Sequence, residues 1–591
     1  MCMDSCVQYS PPGVVGSRFP ECGWAASVSG GRDAIGPALS PLGSRTSSLG
    51  LGVWRGVPVA VLVLALFTAT GCGRRETLVD RGNRDQVLYI GNGTEPKGLD
   101  PHLVTGVTEG NIMAALFEGL VNEDPVDLHP VPGVAERWDV SDDGKVYTFH
   151  LRGNARWSNG DPVSAADFVY SYQRMLTPTL AAEYAYMLHC LKNGKAYNTG
   201  TLTDFAQVGV KAKDAMTLVL ELENPVPYFL SLLNHYSWWP VHPPTVERFG
   251  GMADRSGMWT RPENFVGNGP FSLKVWQISR RIIVEKNPTY WNAAVVRLKQ
   301  IHFLPIDSAD TEERAFRDGA LHVTSTVPLH RIEDYRTRHP DLIRFDPYLG
   351  TYFYRLNAAK PPLNDKRVRR ALALVIDRGQ IAQFILKAGQ RPALCFTPPN
   401  TAGYSCRVQF EGTADEARKL LIEAGYPGGK GFPTVELLYN TSEAHRVIAE
   451  AIQQMWKKEL GVDVKLVNQE WKVYLDSVKR LEYQIARAAW IGDYNDPNTF
   501  LDMWVTDGGN NRTGWSNAEY DRLIDLAGRT ADPVRRFEYF QQAEAILLDE
   551  LPIIPIYFYV RSVLMQPSVR NWNPTILDHH PYAHVYLEAT K

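Results

Sequence analysis

Residues 434–468 read TVELLYNTSEAHRVIAEAIQQMWKKELGVDVKLVN, and this stretch decides the fold class. TVELLYN has the branched and aromatic content of a strand. TSEAHRVIAEAIQQMWKKEL follows with Ile448, Ile452, Met455 and Trp456 on one helical face. Gly461 stands where a helix commonly ends in a left-handed turn. VDVKLVN then alternates Val462, Val464 and Leu466 as a second strand. A strand, a helix and a returning strand predict a right-handed parallel crossover, so the chain is α/β.

The same reading extends outward. VLYIGNG (87–93) reads as an opening strand, and LFEGLVNED (116–124) as a helix end running into a turn. AERWDVSDDGKVYTFHLR (135–152) reads as two strands around Asp142-Asp143-Gly144, a hairpin turn signal. The twelfth position from Asp139 is His150, where a calcium loop needs a Glu, so the turn reading holds. Ser164, with Asp167 three residues on, opens a helix at AADFVYSYQRML.

The chain has 591 residues, too many for one core, so two or three domains are expected. Its net charge of -3, with no basic block, argues against a nucleic-acid partner. The 15 Trp and 27 Tyr fit either large cores or a site lined with rings. The seven Cys form no pair or Cys/His cluster with zinc spacing, so no metal site is predicted. No phosphate loop, GxSxG, HExxH or GxGxxG occurs, so nothing recommends a nucleophile or general base, and neither an enzyme nor a cofactor is expected.

VPVAVLVLALF (57–67) is preceded by Arg55 and followed by TATGC, ending at Cys72. This has the order of a signal peptide, with an apolar run too short for a comfortable membrane span. It resembles a bacterial lipoprotein signal in which Cys72 is lipidated, although Ala69 stands where Leu is usual. A plain secretory signal or an uncleaved anchor are the alternatives. Residues 1–52 fit no signal and read as a start placed too early or a disordered extension; 53–72 is the signal. Residues 73–86 are polar and predict a tether, with the folded body beginning near Val87.

Several further stretches carry a resemblance: EPKGLDPHLVTG (95–106), LFEGLV (116–121) and PGVAERWDVSDDGKVYTFHLRGNARWSNGDPVSAADFVYSYQR (132–174). NPVPYFLSLL (224–233), NPTYWN (287–292), LLYNTSEAH (437–445), VKLVNQEWK (464–472) and ARAAWIGDYNDPNTFLD (486–502) continue it. Together they are similar to the oligopeptide-binding branch of the extracytoplasmic solute-binding proteins of bacterial ABC importers. That resemblance implies a two-lobed, class II-like Venus-flytrap fold of the periplasmic binding proteins, with an extra third domain. Lobe I would comprise 87–118, 243–348 and 561–591, the extra domain 119–242 and lobe II 349–560. It implies a periplasmic or cell-envelope protein that binds peptides of about 2–5 residues largely through their backbone and termini. The partner would be the permease in the inner membrane, and a monomer is expected. A binder of a metal chelate, sugar or murein peptide is the alternative on the same fold. A secreted hydrolase and a structural envelope lipoprotein are weaker competitors.

The resemblance assigns roles residue by residue. Asp493 would face the peptide's α-ammonium, since a buried ammonium needs a paired anion; otherwise it is a turn Asp bonded to nearby backbone. Ala489 and Ile491, and Gly350 facing them, would pair with the peptide backbone, or else form ordinary sheet interior. Tyr184 would contact the peptide's N-terminal end and Trp471 and Tyr559 would be aromatic walls, or else all three are core, with Val107, Asn440 and Trp490 as further lining candidates. Arg487, His445 and Lys479 are candidate cations for the peptide carboxylate, or else surface charges. Departures from the family pattern stand at Thr105 and Arg355, where relatives carry acidic residues, and at Val478, Lys479 and Phe353, where they carry Arg, His and Tyr. Gly350 and Ile491 stand where well-known relatives have Cys. Cys395 and Cys406 flank a loop containing Pro398 and Pro399 and are a possible disulfide in an oxidising compartment, with Cys190 a buried hydrophobe.

Overall fold

The computed structural model describes residues 76–588. The expected signal, Cys72 and the N-terminal extension lie outside the described residues. Among the described residues, no helix is long and apolar enough to cross a membrane.

Three sheets organise the chain. The first is four-stranded, in the order Val87–Gly91, Gln300–Leu304, Arg281–Lys286, Phe271–Gln277. Its opening strand pairs in parallel with Gln300–Leu304. The second is antiparallel, in the order Ala135–Val140, Val146–Leu151, Thr217–Glu221, Val210–Asp214. The hairpin read at Asp142-Asp143-Gly144 joins its first two strands, with Gly144 at φ +68°. The Asp167 carboxylate accepts the Ser164 backbone N–H at 2.9 Å, opening the helix Ala165–Leu176.

The third sheet has six strands, in the order Arg391–Pro392, Ile553–Leu564, Ile343–Leu356, Ile485–Ile491, Val435–Asn440, Val464–Gln469. The stretch 434–468 forms the parallel unit expected: Val435–Asn440 and Val464–Gln469 run parallel, joined by the helix Glu443–Leu460. Gly461 ends that helix at φ +71°. Ile448, Ile452 and Trp456 are fully buried, while Met455 sits at the margin of the same core.

Two long strands tie the chain together. Ile343–Leu356 and Ile553–Leu564 are antiparallel, and their register breaks between Pro347 and Thr351. The expected limits at 348 and 560 fall within these strands. One apolar core gathers residues 88–117 with 241–303. A larger one joins residues 120–238 to Phe353, Trp490, Trp504 and Phe540. Within it the rings of Tyr228 and Tyr494 stack 4.9 Å apart.

Two expectations change. The described part of the expected tether, residues 76–86, is not free: Leu78–Asp85 is a helix opened by a Thr77–Asp80 capping box. It is docked, since Val79 N–H reaches Gly319 O at 2.9 Å and the Gln86 side-chain amide reaches Leu587 O at 2.6 Å. Local capping and tertiary contacts outweigh its polar composition. Residues 116–124 hold the end of the helix Val107–Leu116 and then a short strand, Val121–Glu123, rather than only a turn.

Candidate functional site

The strand Ile485–Ile491 has an unequal pair of edges. One edge pairs with Gly350–Leu356 over its full length. The other meets its neighbour Val435–Asn440 only at Ile485 and Ala486. From Arg487 onward that second edge faces a cavity of about 510 Å³. The Tyr474 hydroxyl donates to Arg487 O there. Alternate residues of a strand send their polar groups to the same edge, so Ala489 and Ile491 follow Arg487. Both line the cavity.

Asp493 lies just past the strand. Its carboxylate accepts hydrogen bonds from the Tyr184 hydroxyl and the Thr499 hydroxyl, each at 3.4 Å. His235 Nε2 is 3.5 Å from the same carboxylate. The Ser237 N–H points at His235 Nδ1, which leaves the ring proton on Nε2. Burial pushes His235 well below its ordinary value, so it stays neutral. No Lys or Arg among the described residues pairs with Asp493, and burial pushes its carboxyl up to about 7, against the two hydroxyl hydrogen bonds.

Arg487 has the complementary situation. It donates to the Tyr559 hydroxyl at 2.8 Å and to Asn440 Oδ1 at 3.3 Å, and its guanidinium lies 4.8 Å from the centre of the Tyr352 ring. Among the described residues no carboxylate pairs with it. The cavity thus holds a buried carboxylate without a cation at one end of an open strand edge and a buried cation without an anion at the other. Each is costly unless a ligand supplies the counter-charge.

Aromatic rings close the walls. Trp471 stacks on Tyr474 with centroids 5.8 Å apart. Trp490 donates its indole N–H to Thr499 O at 2.6 Å, fixing the loop that carries Asp493. Val107 at the start of its helix, Tyr184, Arg355, Asn440 and Tyr559 also line the cavity.

Three sequence candidates lie elsewhere. Gly350 takes its place in the sheet opposite Ile491 and does not line the cavity, and a Cβ there would stand 2.4 Å from Ile491 Cδ1. His445 is half-buried in the first turn of its helix, its ring against that of Tyr352 at 5.7 Å, behind Arg487. Burial, and then Arg487, push it well below its ordinary value, so it supplies no positive charge. Lys479 is bound to the Glu183 carboxylate at 2.8 Å, outside the cavity lining. The disulfide read for Cys395 and Cys406 is not formed: both are free thiols, with sulfurs within 4.8 Å of each other. Glu544, which completes that cluster, accepts from Phe396 N–H, Thr397 N–H and the Tyr404 hydroxyl, leaving it ill suited to ligate a metal.

The structure adds residues that the sequence reading missed. His235 and Tyr236 come from a loop in NHYSWW, and His579 comes from DHH near the C-terminus. His579 is bound to Glu123 at 2.8 Å; burial lowers its pKa, but Glu123 more than offsets this and raises it. The aromatic run around His235 was the available signal; His579 had none, because only the tertiary fold brings it toward Asp493.

Comparison with known proteins places this geometry. The model of the bacterial extracellular solute-binding proteins, family 5 middle region, matches residues 129–512. The chain is 40% identical over 525 residues to the periplasmic oligopeptide-binding protein OppA of Salmonella typhimurium, covering 87% of this chain and 94% of that one. Haemophilus influenzae OppA in complex with RPPGFSPFR superposes with a TM-score of 0.80 at 36% identity, covering 85% of this chain and 99% of that one. The Escherichia coli murein tripeptide-binding protein MppA gives a TM-score of 0.81 at 36% identity, covering 85% and 98%. The unliganded open form of MppA gives only 0.59 at the same identity, covering 85% and 97%. The present chain superposes better on the first MppA structure than on the unliganded open form. The chain therefore belongs to the family 5 bacterial extracellular solute-binding proteins, two-lobed α/β proteins with a third domain that bind their ligands and do not convert them.

Proposed function

We propose that this chain captures short oligopeptides outside the cytoplasm and delivers them to the membrane permease of an ABC importer. The observation that carries this reading is the open edge of Ile485–Ile491, with unpaired Asp493 at one end and unpaired Arg487 at the other. A peptide brings an ammonium to one, a carboxylate to the other and backbone groups to the edge between. Main-chain pairing reads no side chains, so one site serves many sequences. Six residue steps of about 3.3 Å separate Arg487 from Asp493, which leaves room for an extended peptide of about 2–5 residues. The relatives' names, OppA among them, point the same way.

The rest of the reading follows from this. Residues 87–118, 243–348 and 561–591 act as one lobe, 349–560 as the other and 119–242 as the extra domain. The lobes turn about the paired strands near Pro347–Thr351, where the register breaks. The protein works as a monomer, held at the membrane by a lipid on Cys72. Native mass spectrometry with a pool of tripeptides tests the capture step. One peptide retained per chain, and none from the N-acetylated pool, is the expected result; retention of neither pool moves the function to a non-peptide solute.

A further inference from the structure

Arg355 is only 6% exposed and lines the cavity. Its guanidinium makes no hydrogen bond or ion pair with any described side chain, and its Nε is buried without a partner. The neighbouring groups do not compensate it. Arg512 is bound to Glu183, which also holds Lys479, so this carboxylate is already shared by two cations. The phenols beside Arg355 are turned to other partners: Tyr483 donates its hydroxyl to Arg512 O and Tyr474 donates its own to Arg487 O. Arg487 adds a further positive charge.

The two unpaired arginines flank the open edge from opposite sides. Arg487 lies over Tyr352, and Arg355 lies 5.5 Å from the centre of the Phe353 ring. Tyr352 and Phe353 are successive strand residues, so they face opposite sides of the sheet and belong to different cores. A peptide extended along the edge sends successive side chains to these two sides in turn. If Arg487 meets the terminal carboxylate, the Arg355 side is left with a buried cation and a side-chain pocket.

Resting on the peptide-capture reading, we propose that Arg355 receives the carboxylate of an acidic side chain, so that the protein prefers peptides carrying one Asp or Glu over their neutral counterparts. Burying a lone guanidinium is unfavourable, and an incoming carboxylate supplies both charge and hydrogen bonds. An amide of the same shape supplies acceptors but no charge, and a Lys side chain meets repulsion.

Calorimetry on the purified, ligand-stripped protein tests this with Ala-Ala-Ala and with tripeptides carrying Glu, Gln or Lys at each position in turn. At one position Glu is expected to bind about tenfold or more tighter than Gln, with Lys weakest, tenfold being the factor for about 1.4 kcal/mol. Arg355→Met is expected to erase the Glu–Gln difference while still binding Ala-Ala-Ala. Peptides with an amidated C-terminus separate the two sources of carboxylate: the Glu preference should survive amidation, and its disappearance would assign Arg355 to the terminus and overturn the proposal. Equal binding of Glu and Gln at every position by the unmodified protein overturns it without any variant. No binding of Ala-Ala-Ala or any other member of the series would instead bring down the peptide-capture reading itself.

Discussion

Tyr184 and Asp493 are 309 positions apart, yet the Tyr184 hydroxyl donates to Asp493 Oδ1 at 3.4 Å. A residue of the segment 119–242 thus completes an anion site on the far side of the cavity. The carboxylate is nearly enclosed by this arrangement, and enclosure is what makes a cationic ligand necessary.

This linkage predicts pH dependence. Burial pushes the Asp493 carboxyl up to about 7. In the ligand-free protein the folded state prefers the neutral acid, so this contribution to stability is complete below the ordinary carboxylate range and is lost as pH rises through about 7. An ammonium ligand reverses the preference by favouring the ionised form. Tripeptide affinity should therefore climb between about pH 5 and pH 7.5, with proton release at pH 6 visible as a buffer-dependent binding enthalpy. Ligand-free Asp493→Asn should be more stable than the parent at pH 8, by about 2 kcal/mol in thermal or urea unfolding.

Arg487 should matter through the peptide's other end. Arg487→Met removes the donor side of a charge-assisted contact, so Ala-Ala-Ala should weaken by about 1.5–3 kcal/mol. The C-terminally amidated peptide should bind the variant and the parent alike, and calorimetry of the two peptides on the two proteins checks this.

The thiols of Cys395 and Cys406 should join under oxidising conditions, since their sulfurs are within 4.8 Å and no metal-ready carboxylate stands beside them. Oxidation would remove two hydrogens and add about 2–3 kcal/mol of stability by closing a short loop. Peptide mapping without reductant should find the 395–406 cross-link, and peptide affinity should be unchanged because neither Cys lines the cavity.

The fold has its own sensitive point. Arg174 is fully buried and forks onto both oxygens of Asp100, at 2.9 and 2.6 Å, while Trp259 donates to the same carboxylate at 3.2 Å. Burial works against the Asp100 carboxylate, and Arg174 more than offsets it, so the group stays ionised. Arg174→Met should destabilise the protein by about 3–5 kcal/mol, measured by urea unfolding, because it leaves an uncompensated buried charge.

Local patterns were legible in the sequence because local physics sets them. The crossover at 434–468 and the Asp142–Gly144 hairpin follow from periodicity and turn chemistry. Leu78–Asp85 was misread because composition hides a cap that depends on Thr77 and Asp80 together. In the site, Asp493, Arg487 and Tyr184 were reached through flanking motifs. His445 and Lys479 were not separable from true cavity cations in one dimension: one is turned inward behind Arg487, and the other is held by Glu183, nearly three hundred residues away. His579 reaches the cavity from near the C-terminal end of the chain for the same reason.

The central claim is that a peptide's α-ammonium takes the place opposite Asp493. Titration calorimetry of Ala-Ala-Ala and N-acetyl-Ala-Ala-Ala, on the ligand-stripped parent and on Asp493→Asn, tests it most directly. Tight binding of the free peptide to the parent, lost on acetylation and lost again in the variant, is the result predicted. Equal binding of the free and acetylated peptides by the parent would contradict it.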